Sequence, residues 1–277
     1  MKSEESSPPG DSAASSTSRT LEKGLRLLGL FDAEHPQWSL KELREATGES
    51  KTTVLRLTKT LEALGYLARD ARTGRLRLGA GVLKLSYVNS TNNELVRVAV
   101  PHMRRLSETT NQPVDLTVQI EQNSFMTLYD VTPRFVRVQA PIGRITHPGL
   151  TTAASKIFTA FQPEETWGDV LACVVEPLTQ RTITDPKQLR EQLVRATQEG
   201  VAFDIGESSN ELAGVGAPVF GFEGDVVAVI SIVAPIERSG SPELSDYANT
   251  VRDIAADLSQ ELGAPFERVA FLRNRFS

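Results

Sequence analysis

Ser50, Lys51, Thr52, Thr53, Arg56 and Lys59 stand close together in SKTTVLRLTKTLEALGYL, residues 50–67. On the open side of a helix they would present cations and hydroxyl donors, the groups that contact phosphate oxygens and base edges in DNA. Arg69, Arg72, Arg75 and Arg77 follow within a short alternating stretch. From Lys51 to Arg77 there are seven basic residues and two acidic ones, Glu62 and Asp70. That excess suits contact with a polyanion.

The other reactive side chains do not assemble into catalytic patterns. His35, His102 and His147 lie far apart, in no metal-ligand spacing. Cys173 is the only cysteine, so no internal disulfide or cysteine metal cluster can form. It sits in an apolar stretch read as helix, which suits a buried inert thiol. Asp204 and Glu207 could pair, but at this spacing they read as surface charges. Gly214, Gly216, Gly221 and Gly224 do not form a phosphate-binding loop and suit turns and close packing. No enzyme activity, metal or cofactor is expected from these residues.

The elements that would carry the basic residues can be read from periodicity and capping. A first helix spans about Thr20 to Phe31, with Leu21, Leu25, Leu28 and Phe31 on one face. Ser39 and Glu42 form an S-x-x-E capping pattern for a second helix that turns Leu40, Leu43 and Ala46 inward. Thr47-Gly48 ends it. Ser50 caps a third helix whose buried stripe is Val54, Leu57, Leu61 and Leu64. Strand-like Tyr66–Arg69, a Thr73-Gly74 turn and alternating Arg75–Leu78 then form a hairpin. The cap, short turn, basic helix and basic hairpin, in this order, point to a winged helix-turn-helix rather than a generic helical bundle.

Charge supports a two-part chain. Residues 19–90 carry 13 basic and 8 acidic side chains, net +5, whereas residues 91–277 carry net −8. Residues 1–18, serine-rich and poor in large apolar side chains, read as a disordered tail. The expected organisation is a winged helix-turn-helix over 19–80, a linker helix over 81–93, an effector-binding and oligomerisation domain over 94–263 and a C-terminal tail over 264–277. No apolar run is long enough for a membrane span and no signal peptide is visible, so the expected location is cytoplasmic.

In the acidic body, a helix over Glu94–Thr110 precedes alternating Val114–Ile120. Further strands are read near Phe125–Val131, Phe135–Ala140, Val201–Ile205, Val215–Phe220 and Val226–Val233. Helices are read over Thr152–Phe161, from Asp185 to Gly200 and over Ser241–Leu262. This order predicts an α+β domain with a largely antiparallel sheet.

With these segments in place, the chain resembles the IclR-type bacterial transcriptional regulators over about residues 18–263. SKTTVLRLTKTLEALGYL, APIG, TTAASKIFTAF, GVAFDIGES and APVF…VVAVISIVAP fall in that family's order and spacing. The resemblance implies double-stranded operator DNA as partner, a homodimer or a dimer of dimers, and a small-molecule effector, an organic acid or aromatic compound. It places pocket residues at Ala153, Ala154, Ser155, Asp204, Leu212 and Ser231, with Phe135 and Val138 as further lining positions. Gly214 and Val233 stand where some relatives place polar or sulfur ligands, and Ser155 where a glycine is usual. The implied wall is therefore more apolar, which fits an aromatic or longer acid.

The residues add a physical motive. TTAASK puts small side chains at a helix start, where N–H groups and the helix dipole could receive a carboxylate. Thr152, Ser155 and Ser231 add hydroxyls, and Val229, Val233 and Leu212 an apolar side. Small residues there equally suit close packing of a helix on a sheet. An ionised Asp204 would repel an acid, so a role at the pocket edge or in the fold fits it as well. Two other readings stay open: a ligand-free dimerisation domain behind the DNA-binding module, or an enzyme with that module appended.

Overall fold

The computed structural model describes residues 18–32, 35–121, 124–133, 145–146, 149–172, 176–238 and 242–274. The expected N-terminal tail (but for Ser18), Cys173, His147, the strand at 135–140 and the lining positions Phe135 and Val138 lie outside the described residues. The chain divides into two compact units, Met1–Asn92 and Asn93–Ser277.

In the first unit, α1 (Arg19–Leu28), α2 (Leu40–Thr47) and α3 (Lys51–Ala63) precede the antiparallel strands β1 (Leu67–Arg69) and β2 (Leu76–Leu78). Helix α4 (Ala80–Asn92) follows. The Ser39 side chain accepts from Glu42 N and the Glu42 carboxylate accepts from Ser39 N, closing the capping box. Gly48 at φ 68° ends α2 in the left-handed conformation and lets the chain turn at once into α3. Trp38 exchanges two backbone hydrogen bonds with Leu76 (2.9 and 2.7 Å), which fastens the hairpin to the helices.

Leu27, Phe31, Leu43, Val54, Leu57, Leu67 and Leu76 form the core of this unit. The buried faces differ from the expected stripes. Leu21 and Leu25 of α1 are 62% and 59% exposed, while Gly24 and Leu27 turn inward. Ala46 and Leu64 are exposed too, and Thr58 is buried on α3 in place of Leu64, its hydroxyl donating to the Val54 carbonyl at 2.9 Å. Three helices around so small a core bury only the residues aimed at its centre.

The second unit is α+β. Its sheet, all antiparallel in its described pairings, has the order β5-β4-β3-β8-β7-β6. The strands are β3 (Val114–Glu121), β4 (Ser124–Val131), β5 (Ile145–Thr146), β6 (Ala202–Ile205), β7 (Leu212–Phe220) and β8 (Val226–Pro235). Alternation along the strands separates two faces. Val215, Ala217, Val219, Ile230 and Ile232 pack with α5 (Glu94–Thr110) and α9 (Pro242–Glu261). Ala202 and Val229 pack on the other face with α6 (Ala153–Ala160) and α8 (Pro186–Glu199); the short α7 (Trp167–Leu171) adds Trp167.

Residues 264–277 are not a tail throughout. Phe266–Arg273 forms α10, whose Val269 and Leu272 are buried in the first of these cores. Apolar side chains three residues apart on one helix face make that segment part of the packed domain.

Candidate nucleic-acid interface and effector face

Helix α3 begins without an acidic residue in its first turn, so its dipole and Lys51 make one electropositive end. Lys51, Thr52, Arg56 and Lys59 are exposed along it. Ser50 and Thr53 are engaged locally: the Ser50 hydroxyl accepts from Thr53 N (3.2 Å) and lies 2.9 Å from the Thr53 hydroxyl.

The four wing arginines divide into two pairs. Arg69 meets both carboxylate oxygens of Glu62 at 3.0 and 2.9 Å and donates to the Gly74 carbonyl. Arg75 donates to Glu42 (2.7 Å) and to the Gln37 carbonyl (3.0 Å), tying the hairpin to the start of α2. Arg72 and Arg77 are exposed and enter no ion pair among the described residues. Between the strands, the Thr73 N–H and hydroxyl and the Arg72 N–H converge on Asp70 and hold its carboxyl below the ordinary aspartate range. That turn fixes the wing tip.

On the α6-facing side of the sheet, register places two rows next to each other. Ala202, Gly216, Ser231 and Asp115 lie opposite one another across β6, β7, β8 and β3; Asp204, Gly214 and Val233 form the next row. A side chain on Gly216 would put its Cβ 2.8 Å from Ser231 Oγ and 3.3 Å from Ala153 Cβ. Glycine is therefore what lets the start of α6 approach the Ser231 hydroxyl. Ala153, Ala154 and Ser231 are buried; Leu212, Gly214 and Val233 are half-buried.

The polar groups here have unequal freedom. Thr152 and Ser155 cap α6 reciprocally: Ser155 N donates to Thr152 Oγ1 (3.1 Å) and Thr152 N to Ser155 Oγ (3.2 Å). Their hydroxyls are thereby committed to the helix, leaving the Ala153 and Ala154 N–H groups as first-turn donors without intrahelical acceptors. Ser231 makes no side-chain hydrogen bond among the described residues. Val229 is wholly buried under α6 and belongs to the core rather than to a lining.

Asp204 and Glu207 are not surface charges; they are 6% and 3% exposed. Asp204 accepts from Glu207 N (2.8 Å), Ser208 N (3.2 Å) and the Ser208 hydroxyl, so it staples the turn after β6. Burial pushes its carboxyl up, against these hydrogen bonds. Glu207 receives Lys156 Nζ at 2.5 Å, and the same amine donates to the Phe203 carbonyl at 2.7 Å. Lys156 is 1% exposed. Nothing in its local sequence announces that role except a lone cation within a small, apolar helix.

Comparison with known proteins agrees with this architecture. The IclR helix-turn-helix domain matches residues 20–71, and the bacterial transcriptional regulator IclR C-terminal domain matches residues 87–260. The HTH-type transcriptional regulator KipR of Bacillus subtilis is 29% identical over 246 residues, covering 88% of this chain and 97% of its own. The glycerol operon regulatory protein of Streptomyces griseus is 27% identical, covering 89% and 97%. Among solved structures, an IclR regulator from Alicyclobacillus acidocaldarius superposes with a TM-score of 0.80 at 23% identity, over 89% of this chain and all of that one. An IclR homologue of Microbacterium hydrocarbonoxydans, complexed with 4-hydroxybenzoate, gives 0.76 at 23% identity, over 88% and 98%. With a winged helix-turn-helix in one unit, an antiparallel α+β fold in the other and both family domains matched in order, the chain belongs to the IclR family of DNA-binding bacterial transcriptional regulators.

Proposed function

We propose that this regulator binds a pseudo-palindromic operator as a homodimer or a dimer of dimers. Lys51, Thr52 and Arg56 reach base edges, and Lys59, Arg72 and Arg77 hold phosphates. A small organic acid with an aromatic or apolar body, seated on the α6-facing side of the sheet, shifts operator affinity by binding two arrangements of the protein unequally. The observation that carries the ligand reading is the close approach of the start of α6 to the Ser231 hydroxyl over Gly216, where an added Cβ would lie 3.3 Å from Ala153 Cβ and 2.8 Å from Ser231 Oγ. That the Microbacterium homologue was solved with 4-hydroxybenzoate supports an aromatic acid.

Calorimetry with 4-hydroxybenzoate and 4-hydroxybenzamide tests the ligand reading. The acid is expected to bind about tenfold or more tightly than the amide, because charge-assisted hydrogen bonds exceed neutral ones. Ser231→Ala and Ala154→Leu should both weaken the acid. Equal binding of the two compounds, or unchanged affinity in Ala154→Leu, overturns it.

Leu21 and Leu25 on α1, with Leu83, Leu85 and Val88 on α4, are exposed apolar surface that a second copy would cover. Two recognition helices related by symmetry double the length of DNA read. Light scattering that finds only monomer, with and without operator, contradicts the assembly.

The division of the wing arginines gives a further expected result. Arg77→Ala should lower the slope of log affinity against log salt by about 1, as one phosphate contact is lost. Arg69→Ala should leave that slope unchanged, since its guanidinium is already held by Glu62. Salt-titrated binding to random duplex DNA measures both; equal slope changes would remove the distinction.

A further inference from the structure

In its first half, the outward side of α3 is polar and basic with one exception. A rotation of about 100° per residue turns Val54, Leu57 and Thr58 inward and leaves Lys51, Thr52, Leu55, Arg56 and Lys59 exposed. Leu55 is 36% exposed. Lys51 and Thr52 stand one turn before it and Lys59 one turn after it. This is the part of a recognition helix that meets base edges. Scattered apolar side chains are ordinary on protein surfaces, but this one stands among the side chains that would face DNA. Two hydroxyls near it are already engaged: Thr53 lies 2.9 Å from the Ser50 hydroxyl, and Thr60 donates to the Arg56 carbonyl at 3.0 Å.

A leucine can neither donate nor accept a hydrogen bond. Pressed against the polar edge of a base, it would strip water from donors and acceptors and return nothing, a loss for each group so buried. The one methyl group that a base pair presents in the major groove belongs to thymine, at C5. Contact between that methyl and Leu55 removes apolar surface from water on both sides.

We propose that Leu55 is a specificity-determining residue, which recognises a thymine by its C5-methyl group in the same half-site whose guanine Arg56 contacts. The inference rests on the placement of α3 in the major groove proposed above. Two consecutive side chains then select by different chemistry: Leu55 by hydrocarbon contact, Arg56 by a hydrogen-bonded fork.

The full-length protein first selects its preferred sequence from a pool of randomised duplexes. Each thymine of that sequence is then replaced, in both half-sites, by deoxyuridine, which lacks the C5-methyl and keeps every hydrogen-bonding group. Anisotropy titration is expected to find a thymine whose methyl is worth about fourfold in affinity per half-site, the effect of withdrawing one methyl group from apolar contact. In Leu55→Ala the same replacement should make no difference. That variant should still lose affinity when 7-deazaguanine replaces the guanine read by Arg56, and should bind random duplex like wild type, its fold and phosphate contacts being intact. Leu55→Met, apolar and of similar size, and Thr52→Ser should both stay sensitive to deoxyuridine. A selected sequence in which no thymine methyl matters overturns the inference. So does a methyl effect that survives Leu55→Ala or vanishes in Thr52→Ser. A pool that yields no preferred sequence overturns the operator reading itself, and this inference with it.

Discussion

Lys156→Met is expected to destabilise the C-terminal unit by about 3–5 kcal/mol, the usual effect of removing one partner from a buried ion pair. The substitution keeps the length of the side chain but withdraws the amine from Glu207 and from the Phe203 carbonyl. Burial moves the Lys156 amine down and the Glu207 carboxyl up, each toward its neutral form, and the ion pair opposes both. Without the lysine, Glu207 is an acid whose folded-state pKa stands above its unfolded value. Its penalty is full above that raised pKa, shrinks as pH falls from there toward the ordinary glutamate value and is gone below it, so the deficit of the variant shrinks on acidification. The double variant Lys156→Met/Glu207→Leu should recover most of the loss, since an apolar pair leaves no uncompensated charge. Trp38 and Trp167 are the only tryptophans and lie in different units. Urea unfolding in a Trp38→Phe background therefore reports on the C-terminal unit through Trp167. A single variant within about 1 kcal/mol of wild type, or a double variant no more stable than the single, refutes the assignment.

Arg56→Ala should weaken operator binding by about 1–3 kcal/mol, roughly 5- to 150-fold, while changing affinity for random DNA far less. The expectation rests on exposure and on chemistry. Arg56 lies on the open face of α3, one turn beyond Lys51 and Thr52, with no ion pair among the described residues. Its planar fork matches guanine O6 and N7, a geometry that lysine cannot reproduce, so Arg56→Lys should also lose selectivity at one base pair. Anisotropy titrations on operator and shuffled duplexes, at several salt concentrations, separate the base contact from phosphate contacts. Equal losses on both duplexes would make Arg56 a phosphate contact only.

The parts of this protein that were legible in its sequence are those governed by local rules. The Ser39–Glu42 box, the left-handed Gly48 and the Ser50 cap each depend on neighbours within three residues, and each lies where the pattern put it. Leu189, Leu193 and Ala196 likewise turn inward on α8 as their spacing requires. Helix α1 shows the limit of that reasoning. Leu21 and Leu25 make as good a stripe as Gly24 and Leu27, and periodicity alone does not say which stripe meets the core of its own unit. Non-local partners were invisible. Lys156 and Glu207 are 51 residues apart, and Arg75 reaches back to Glu42 across 33. The basic character of the wing could be counted, but not which arginines are already bound. Helix α10 was missed because 264–277 read as a tail after the helix over Ser241–Leu262, although Val269 and Leu272 carried the helical spacing.

The described sheet ends on one side in the two-residue strand β5 and on the other in the four-residue β6, where the Lys156 amine already occupies the Phe203 carbonyl. On the β6 side, a short border with one acceptor already taken gives little template for another copy to extend the ladder. The lysine that neutralises Glu207 thus also takes one backbone acceptor of the border strand, so a single side chain serves both the ion pair and the edge.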